Sequence, residues 1–201
     1  EFFKNYDFHN LYKDLLNFCT VDLSAFYFDI RKDTLYCDPI DSSKRNSCLK
    51  LLNIILESLL KWFAPILSYT TEEIYRLLFP KNKSIHLENF IDFPNNFKSH
   101  ELNKKWSELI KIRDLCNVSI EEKRSKKIIG SSLEAEIQIS LNESLREMTK
   151  NIDFSELCIT SKATLIFNND NESSIVTKKA EGNKCAVCWK ISQQPCKRHE
   201  K

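Results

Sequence analysis

Glycine is nearly missing: Gly130 and Gly182 are the two in a chain of 201 residues. That scarcity argues against a hairpin-rich all-β fold, whose tight turns draw on glycine, and against a glycine-rich loop cradling a nucleotide's phosphates. No long unbroken apolar run exists either. The richest stretch, Leu49 to Leu67, is interrupted by Lys50, Asn53, Glu57 and Lys61, so no membrane span is expected. The first residue is Glu1 and no basic-then-apolar leader follows it, so no secretion signal is expected. An excess of one charge is also absent: the formal net charge is +2, and any electrostatic argument must rest on local clusters. Finally, there is no nucleophile elbow and no ligand set with an open metal position, which makes the chain a binder rather than a catalyst. Glu72 and Glu73 are adjacent carboxylates, but Glu73 is expected to be used in capping a helix.

Cysteine, by contrast, is plentiful at eight residues. Five of them, Cys19, Cys37, Cys48, Cys116 and Cys158, are scattered singly through apolar or helical surroundings, which fits a reducing, cytoplasmic setting better than a disulfide scaffold.

The apolar pattern is mostly helical. From Asn10 to Ile30, Leu11, Leu15, Leu16, Leu23, Phe26, Tyr27 and Ile30 recur at helical spacing, with a break expected near Thr20 and Asp22 available to start a second stretch. Asp38 to Ser43 carries turn chemistry and a cap. Cys48, Leu51, Leu52, Ile55, Leu59, Trp62 and Phe63 then mark one face of a long helix that Pro65 should end. Thr70 and Glu73 have capping-box spacing, predicting a further helix from about Thr71 to Phe79. Residues 81–98 lack a sustained period and are expected to form a long connection. Trp106, Leu109, Ile110, Ile112, Cys116 and Ile120 form another amphipathic helix, with Gly130 placed as its stop.

After Gly130 the period changes. Leu133, Ala135, Ile137, Ile139 and Leu141 alternate with polar residues, the mark of a half-buried strand. Asn142 can cap a short helix through Met148, and the runs Glu156 to Thr160, Thr164 to Phe167 and Ser174 to Lys178 read as short strands. The predicted architecture is therefore mainly α: an antiparallel helical bundle, a small α+β unit, and a terminal segment too poor in apolar residues to form its own core. The expected domains are 1–98 (first part of the bundle), 99–130 (a long basic helix completing it), 131–180 (the α+β unit) and 181–201 (a zinc-binding peptide).

That last segment has its own means of folding. Cys185-Ala-Val-Cys188 is followed after seven residues by Cys196-Lys-Arg-His199, two ligand pairs with the spacing of a zinc knuckle. Three thiolates and an imidazole suit tetrahedral Zn²⁺, and metal binding supplies about 10–16 kcal/mol in small zinc peptides, enough to replace a core. Four protein ligands leave no open position, so the role is structural. A redox pair at Cys185 and Cys188 is the alternative, but it lacks a βαβ context. His199 is either the fourth ligand or a solvated residue near the chain end. His9, His86 and His100 have no ligand spacing and are expected at the surface.

Basic residues interleaved with aromatics suit RNA, since cations neutralise phosphate while rings stack on unpaired bases. Three clusters qualify: Arg31 and Lys32 beside Tyr36; Lys123, Arg124, Lys126 and Lys127; and Lys184, Trp189, Lys190, Lys197 and Arg198 around the cysteines. Between Lys104 and Lys127 eight basic residues face four acidic ones, so the charge is unevenly placed. Any single cluster also fits a solvated helix face. Trp189, in a segment without a core, is expected to pack on a partner or a base.

Several segments carry a family resemblance. SAFYFDIRKDTLYCD (Ser24 to Asp38) resembles the stretch opening the anticodon-binding helical domain of isoleucyl-tRNA synthetases, and LLKWFAPILSYTTEEIYRLL (Leu59 to Leu78) resembles the helix pair that follows. WSELIKIRDLCNVSIEEKRSKKIIGSSLEAEI (Trp106 to Ile137) is similar to that family's helix-to-strand passage, and GNKCAVCWK (Gly182 to Lys190) to its terminal zinc peptide. Valyl- and leucyl-tRNA synthetases share the helical domain; the Lys32 to Tyr36 stretch and the cysteine-rich tail point to isoleucine. The chain departs from the family at Tyr75, usually tryptophan, and at His199, usually cysteine.

The resemblance implies a tRNA-binding, anticodon-reading region of a cytoplasmic class I ligase. The parent enzyme would use ATP and Mg²⁺ to attach isoleucine to tRNA(Ile). Its catalytic domain, with HIGH and KMSKS signatures, and its editing domain would lie upstream in the same polypeptide. Neither signature occurs here. Editing has a physical rationale, because one methylene separates isoleucine from valine by only about 1–3 kcal/mol. The chain is expected to bind Zn²⁺ through Cys185, Cys188, Cys196 and His199, and tRNA through Arg31, Lys32, Tyr36, Lys126, Lys127, Trp189, Lys190 and Arg198. It should be monomeric, off the membrane, and inactive alone. The alternatives are a valyl- or leucyl-type anticodon domain, or a freestanding zinc-dependent protein-interaction module.

Overall fold

The computed structural model describes residues 2–170 and 173–199. Its packing divides into two compact units, Glu1–Phe97 and Lys98–Lys201. Glu200 and Lys201, the end of the expected zinc segment, lie outside the described residues. No helix among the described residues is long and apolar enough to cross a membrane.

The first unit is helical. Asp7 caps α1 (Phe8–Asn17) by accepting the Asn10 N–H, and Leu11 and Leu15, one turn apart, are its buried residues. The expected break near Thr20 is instead a widened helix: Phe18–Phe28 is π-helical, and Asp22 starts nothing. The Thr20 hydroxyl donates to the Leu16 carbonyl at 2.8 Å, drawing an i−4 acceptor to a side chain just where the wider turns begin. The chain continues into α2 (Asp29–Cys37), which buries Ile30 and Thr34 and stops before Pro39. Ser42 caps α3 (Ser43–Phe63) by accepting the Arg45 N–H at 3.3 Å, and the helix ends two residues before Pro65. α2 packs on α3, as does α4 (Ser68–Leu78).

The capping box expected at Thr70 and Glu73 does not form. α4 begins at Ser68, after Leu67, which makes no side-chain cap bond. Thr71 is buried and turns its hydroxyl back to the Leu67 carbonyl at 3.0 Å. Its neighbour Glu72 holds the following loop instead: its carboxylate accepts from Ser84 Oγ at 2.8 Å, from the Ile85 N–H at 3.0 Å and from Arg76 Nε at 2.6 Å. Burial acts to raise the Glu72 pKa, but these bonds outweigh it and hold the carboxyl below its ordinary value. Ile85 is thereby set into a core of Leu60, Ala64 and Tyr75, with Phe79 against it. The long connection 81–98 is present as expected, anchored by Ile85, by an Asn82 amide donating to the Tyr75 hydroxyl at 2.6 Å and by Phe90 against the Phe3 ring at 4.7 Å.

The second unit packs one helix on a sheet. α5 (His100–Ser125) is capped by Ser99 and buries Leu109, Ile112, Cys116 and Ile120. β1 (Ala135–Asn142) is the central strand of a three-stranded sheet of order β2-β1-β3. β2 (Lys162–Asn168) runs parallel to it and β3 (Ser174–Lys179) antiparallel. The alternation read from the sequence is observed: Ala135, Ile137, Ile139 and Leu141 are fully buried, while Glu136, Gln138, Ser140 and Asn142 turn to the other face. The Ser119 and Thr177 hydroxyls pair at 2.7 Å, tying α5 to β3. Residues 99–130 were expected to complete the helical bundle, but α5 groups with the sheet because its apolar stripe covers that buried face.

Two further local expectations change. Gly130 is not the stop of α5. Lys127 takes the left-handed conformation at φ 57°, the Ile128 N–H reaches the Lys123 carbonyl at 3.0 Å, and the Lys127 N–H reaches that of Arg124 at 2.9 Å. Those bonds form a Schellman stop with lysine where glycine is usual. Glu156 to Thr160, read as a strand, is a short helix and turn. Asp153 accepts from the Ser155 and Glu156 N–H groups and starts α7 (Phe154–Leu157), overriding the apolar pattern. Asn142 does cap a short helical segment, accepting the Ser144 N–H at 2.9 Å ahead of α6 (Arg146–Thr149).

A candidate metal centre and the basic residues around it

The last segment folds as a small hairpin. β4 (Asn183–Lys184) pairs antiparallel with β5 (Ile191–Ser192), and the intervening Cys185 to Lys190 turn closes with the Cys185 N–H on the Lys190 carbonyl at 2.9 Å and the Trp189 N–H on the Cys185 carbonyl at 3.0 Å. Gly182, at φ 123°, opens it. A Cβ there would lie 2.2 Å from the Ser192 carbonyl oxygen, so no other residue lets the two strands approach.

The turn brings the expected ligands together. One ligand atom from each of Cys185, Cys188, Cys196 and His199 lies within 4.8 Å of the others. His199 Nδ1 is 3.4 Å from both Cys185 Sγ and Cys196 Sγ, and Cys188 Sγ is 3.9 Å from Cys196 Sγ. Ligands of a tetrahedral zinc ion, with Zn–S near 2.3 Å and Zn–N near 2.0–2.1 Å, sit about 3.5–3.8 Å apart, so these four residues fit the ion. The Cys185 thiol is drawn down to about 6 by the backbone N–H groups of Cys188 and Val187, with the His199 imidazole adding to the effect against its burial. Burial pushes the Cys188 thiol the other way. That shift favours the thiolate, the form that donates to a divalent ion. Such an ion would crosslink the two pairs and hold the segment's fold.

The basic and aromatic residues fall in both units. In the first, Arg31 lies over the Tyr27 ring at 5.8 Å, Lys32 is paired with Asp29 at 2.9 Å, and Tyr36 is 82 % exposed at the end of α2. In the second, Lys126 and Lys127 are exposed at the α5 terminus. Trp189, 59 % exposed and left-handed at φ 63°, stands beside the cysteines with the Lys184 ammonium 5.5 Å from its ring. Lys190 is half-buried near Asp153. Burial acts to raise the Asp153 carboxyl, but the Ser155 hydroxyl, backbone N–H groups and the Lys190 charge hold it below its ordinary value. Arg198 is exposed near the Cys188 thiol. The ligand segment thus carries Trp189, Lys190 and Arg198 together, while Lys126 and Lys127 belong to the helix end. His9, His86 and His100 are exposed, as expected.

Sequence reasoning missed Ser161. Its hydroxyl accepts the Ile191 N–H at 2.6 Å and donates to the Leu133 carbonyl, linking the hairpin to the sheet. No spacing signals such a contact across 30 residues.

Known proteins resemble this chain over most of its length. The family model described as the anticodon-binding domain of tRNA ligase matches residues 1–139, running through α5 into β1. An isoleucine–tRNA ligase of Pelagibacter ubique (strain HTCC1062) is 65% identical over 198 residues, 98% of this chain and 22% of the relative. Those of Bartonella henselae (strain ATCC 49882 / DSM 28221 / CCUG 30454 / Houston 1) and Agrobacterium fabrum (strain C58 / ATCC 33970) are 38% and 39% identical over 95% and 93% of the chain, and 21% and 20% of their own lengths. The chain spans about a fifth of the length of the curated relatives it matches. With a family match over more than half its residues, the chain belongs to the anticodon-binding domain family of tRNA ligases.

Proposed function

We propose that this chain is the anticodon-reading part of an isoleucine–tRNA ligase, gripping tRNA(Ile) while the catalytic and editing domains of the same polypeptide carry out chemistry. The observation that carries this reading is the 65% identity to an isoleucine–tRNA ligase along 98% of the chain. The parent enzyme would use ATP and Mg²⁺ to attach isoleucine, work in the cytoplasm and act as a monomer. The chain itself binds and does not catalyse.

In this reading one structural Zn²⁺ per chain is held by Cys185, Cys188, Cys196 and His199. Arg31, Lys32, Lys126, Lys127, Lys190 and Arg198 meet phosphates, and Tyr36 and Trp189 stack on splayed anticodon bases. The helical first unit, α5 with the sheet it covers, and the metal segment each contribute contacts to the anticodon arm.

The test is binding of the zinc-loaded chain to tRNA(Ile) and to the same tRNA with a swapped anticodon, across a salt series. Preference for the native anticodon, with affinity falling as salt rises, supports base readout on top of phosphate contacts. Trp189→Ala should then lose about 1–3 kcal/mol, the usual worth of one stacked base. Equal, salt-sensitive binding to both tRNAs would reduce the region to an electrostatic grip, and no binding at all would sink the reading.

A further inference from the structure

We infer that Ser161 is the positioning residue that fixes the metal-binding hairpin on the sheet, so that Trp189 is presented to RNA in one orientation. The inference rests on the proposed tRNA reading.

A serine hydroxyl has one proton and two lone pairs. Here the proton goes to the Leu133 carbonyl, and a lone pair accepts the Ile191 N–H at 2.6 Å. The Ser161 N–H also donates to the Ala135 carbonyl at 3.0 Å. One residue at the entrance to β2 therefore touches the segment before β1, the first residue of β1 and the first residue of β5. Ser161 follows Thr160, which is fully buried, so its backbone is set by the sheet rather than by the hairpin.

On the hairpin side the path to the site is short. Ile191 pairs with Lys184, the residue before the first ligand. The carbonyl of the preceding residue, Lys190, accepts the Cys185 N–H at 2.9 Å. Trp189 lies two positions before Ile191. A metal ion would set the shape of the Cys185 to Lys190 turn, but four ligands from one segment cannot fix how that turn is aimed relative to the sheet. The Ser161 bond fixes that aim at the first residue of β5, with the Lys190 charge near Asp153 beside it.

The experiment uses the zinc-loaded 201-residue chain and the substitutions Ser161→Ala, Ser161→Thr and Trp189→Ala. Four quantities are measured: zinc affinity, melting midpoint, hydrogen exchange at the Ile191 amide, and binding to tRNA(Ile). Ser161→Ala should keep zinc affinity near that of the parent and lower the melting midpoint by no more than about 10 °C, the cost of the lost bonds. It should speed Ile191 exchange and weaken tRNA binding, each by about tenfold, the value of one or two hydrogen bonds. Ser161→Thr keeps the hydroxyl and should restore both. A parallel fall in zinc affinity, melting midpoint and tRNA binding would make the serine merely structural and overturn the inference. So would unchanged tRNA binding in Ser161→Ala when Trp189→Ala has lost it. If Trp189→Ala binds tRNA like the parent, the hairpin does not touch RNA, and the reading on which the inference rests fails first.

Discussion

Of the two glycine-to-alanine changes the chain allows, Gly182→Ala is the more severe. The new Cβ would sit 2.2 Å from the Ser192 oxygen, 2.3 Å from its carbonyl carbon and 2.5 Å from the Gln193 nitrogen, all backbone atoms. At φ 123° alanine is also strained on its own account, by about 1–3 kcal/mol. Relief requires β4 and β5 to separate, which breaks the Asn183–Ser192 and Lys184–Ile191 pairing at about 0.5–1.5 kcal/mol for each hydrogen bond lost. The hairpin frames Cys185, so metal binding must restore that geometry against a total of about 2–6 kcal/mol, equivalent to a loss of zinc affinity of about 30- to 25,000-fold. Competition with a colorimetric chelator reads this directly. Gly130→Ala is the control, because its Cβ would meet only the flexible Glu134 carboxylate, at 3.4 Å. Retention of zinc within threefold by Gly182→Ala would refute the close approach of the two strands as the basis of the site.

Lys127→Gly should stabilise the second unit by about 1 kcal/mol, since glycine removes the left-handed penalty at the end of α5. The melting midpoint should rise by about 4–8 °C, while the salt slope of tRNA binding drops by about one phosphate contact; a fall in the midpoint would argue against the Schellman stop. The first unit should lose stability in acid. Glu72 has a folded pKa below its ordinary value of 4.5, so its contribution is present above that value and is lost as pH falls through the folded pKa. Glu72→Gln should flatten this acid limb in a melting series between pH 6 and about 3, and an unchanged limb would remove Glu72 as its cause.

What the sequence disclosed was whatever is local and periodic. The clustering of Cys185, Cys188, Cys196 and His199 was readable because both pairs sit within one segment and two-residue spacing has few other uses. β1 was readable because strict alternation has one physical meaning. The α4 start was misread because Thr70 and Glu73 have capping-box spacing by coincidence, and the neighbouring carboxylate answers to Ser84 and Ile85, twelve and thirteen residues away. The α5 stop was misplaced because a lysine in the left-handed region leaves no compositional mark. The partner of α5 could not be read at all: an apolar stripe declares that a helix is covered, without saying whether helices or a sheet cover it.

Histidine as the proposed fourth ligand would have an electrostatic consequence. Three thiolates and a neutral imidazole around a divalent cation leave one net negative charge, whereas four thiolates leave two. The complex would stand beside a polyanion, with Lys184, Lys190, Lys197 and Arg198 next to it in sequence. With His199 in the set, the complex would offset one positive charge of the segment rather than two. Replacing His199 with cysteine would divert a further cation inward and leave the metal segment a weaker magnet for RNA.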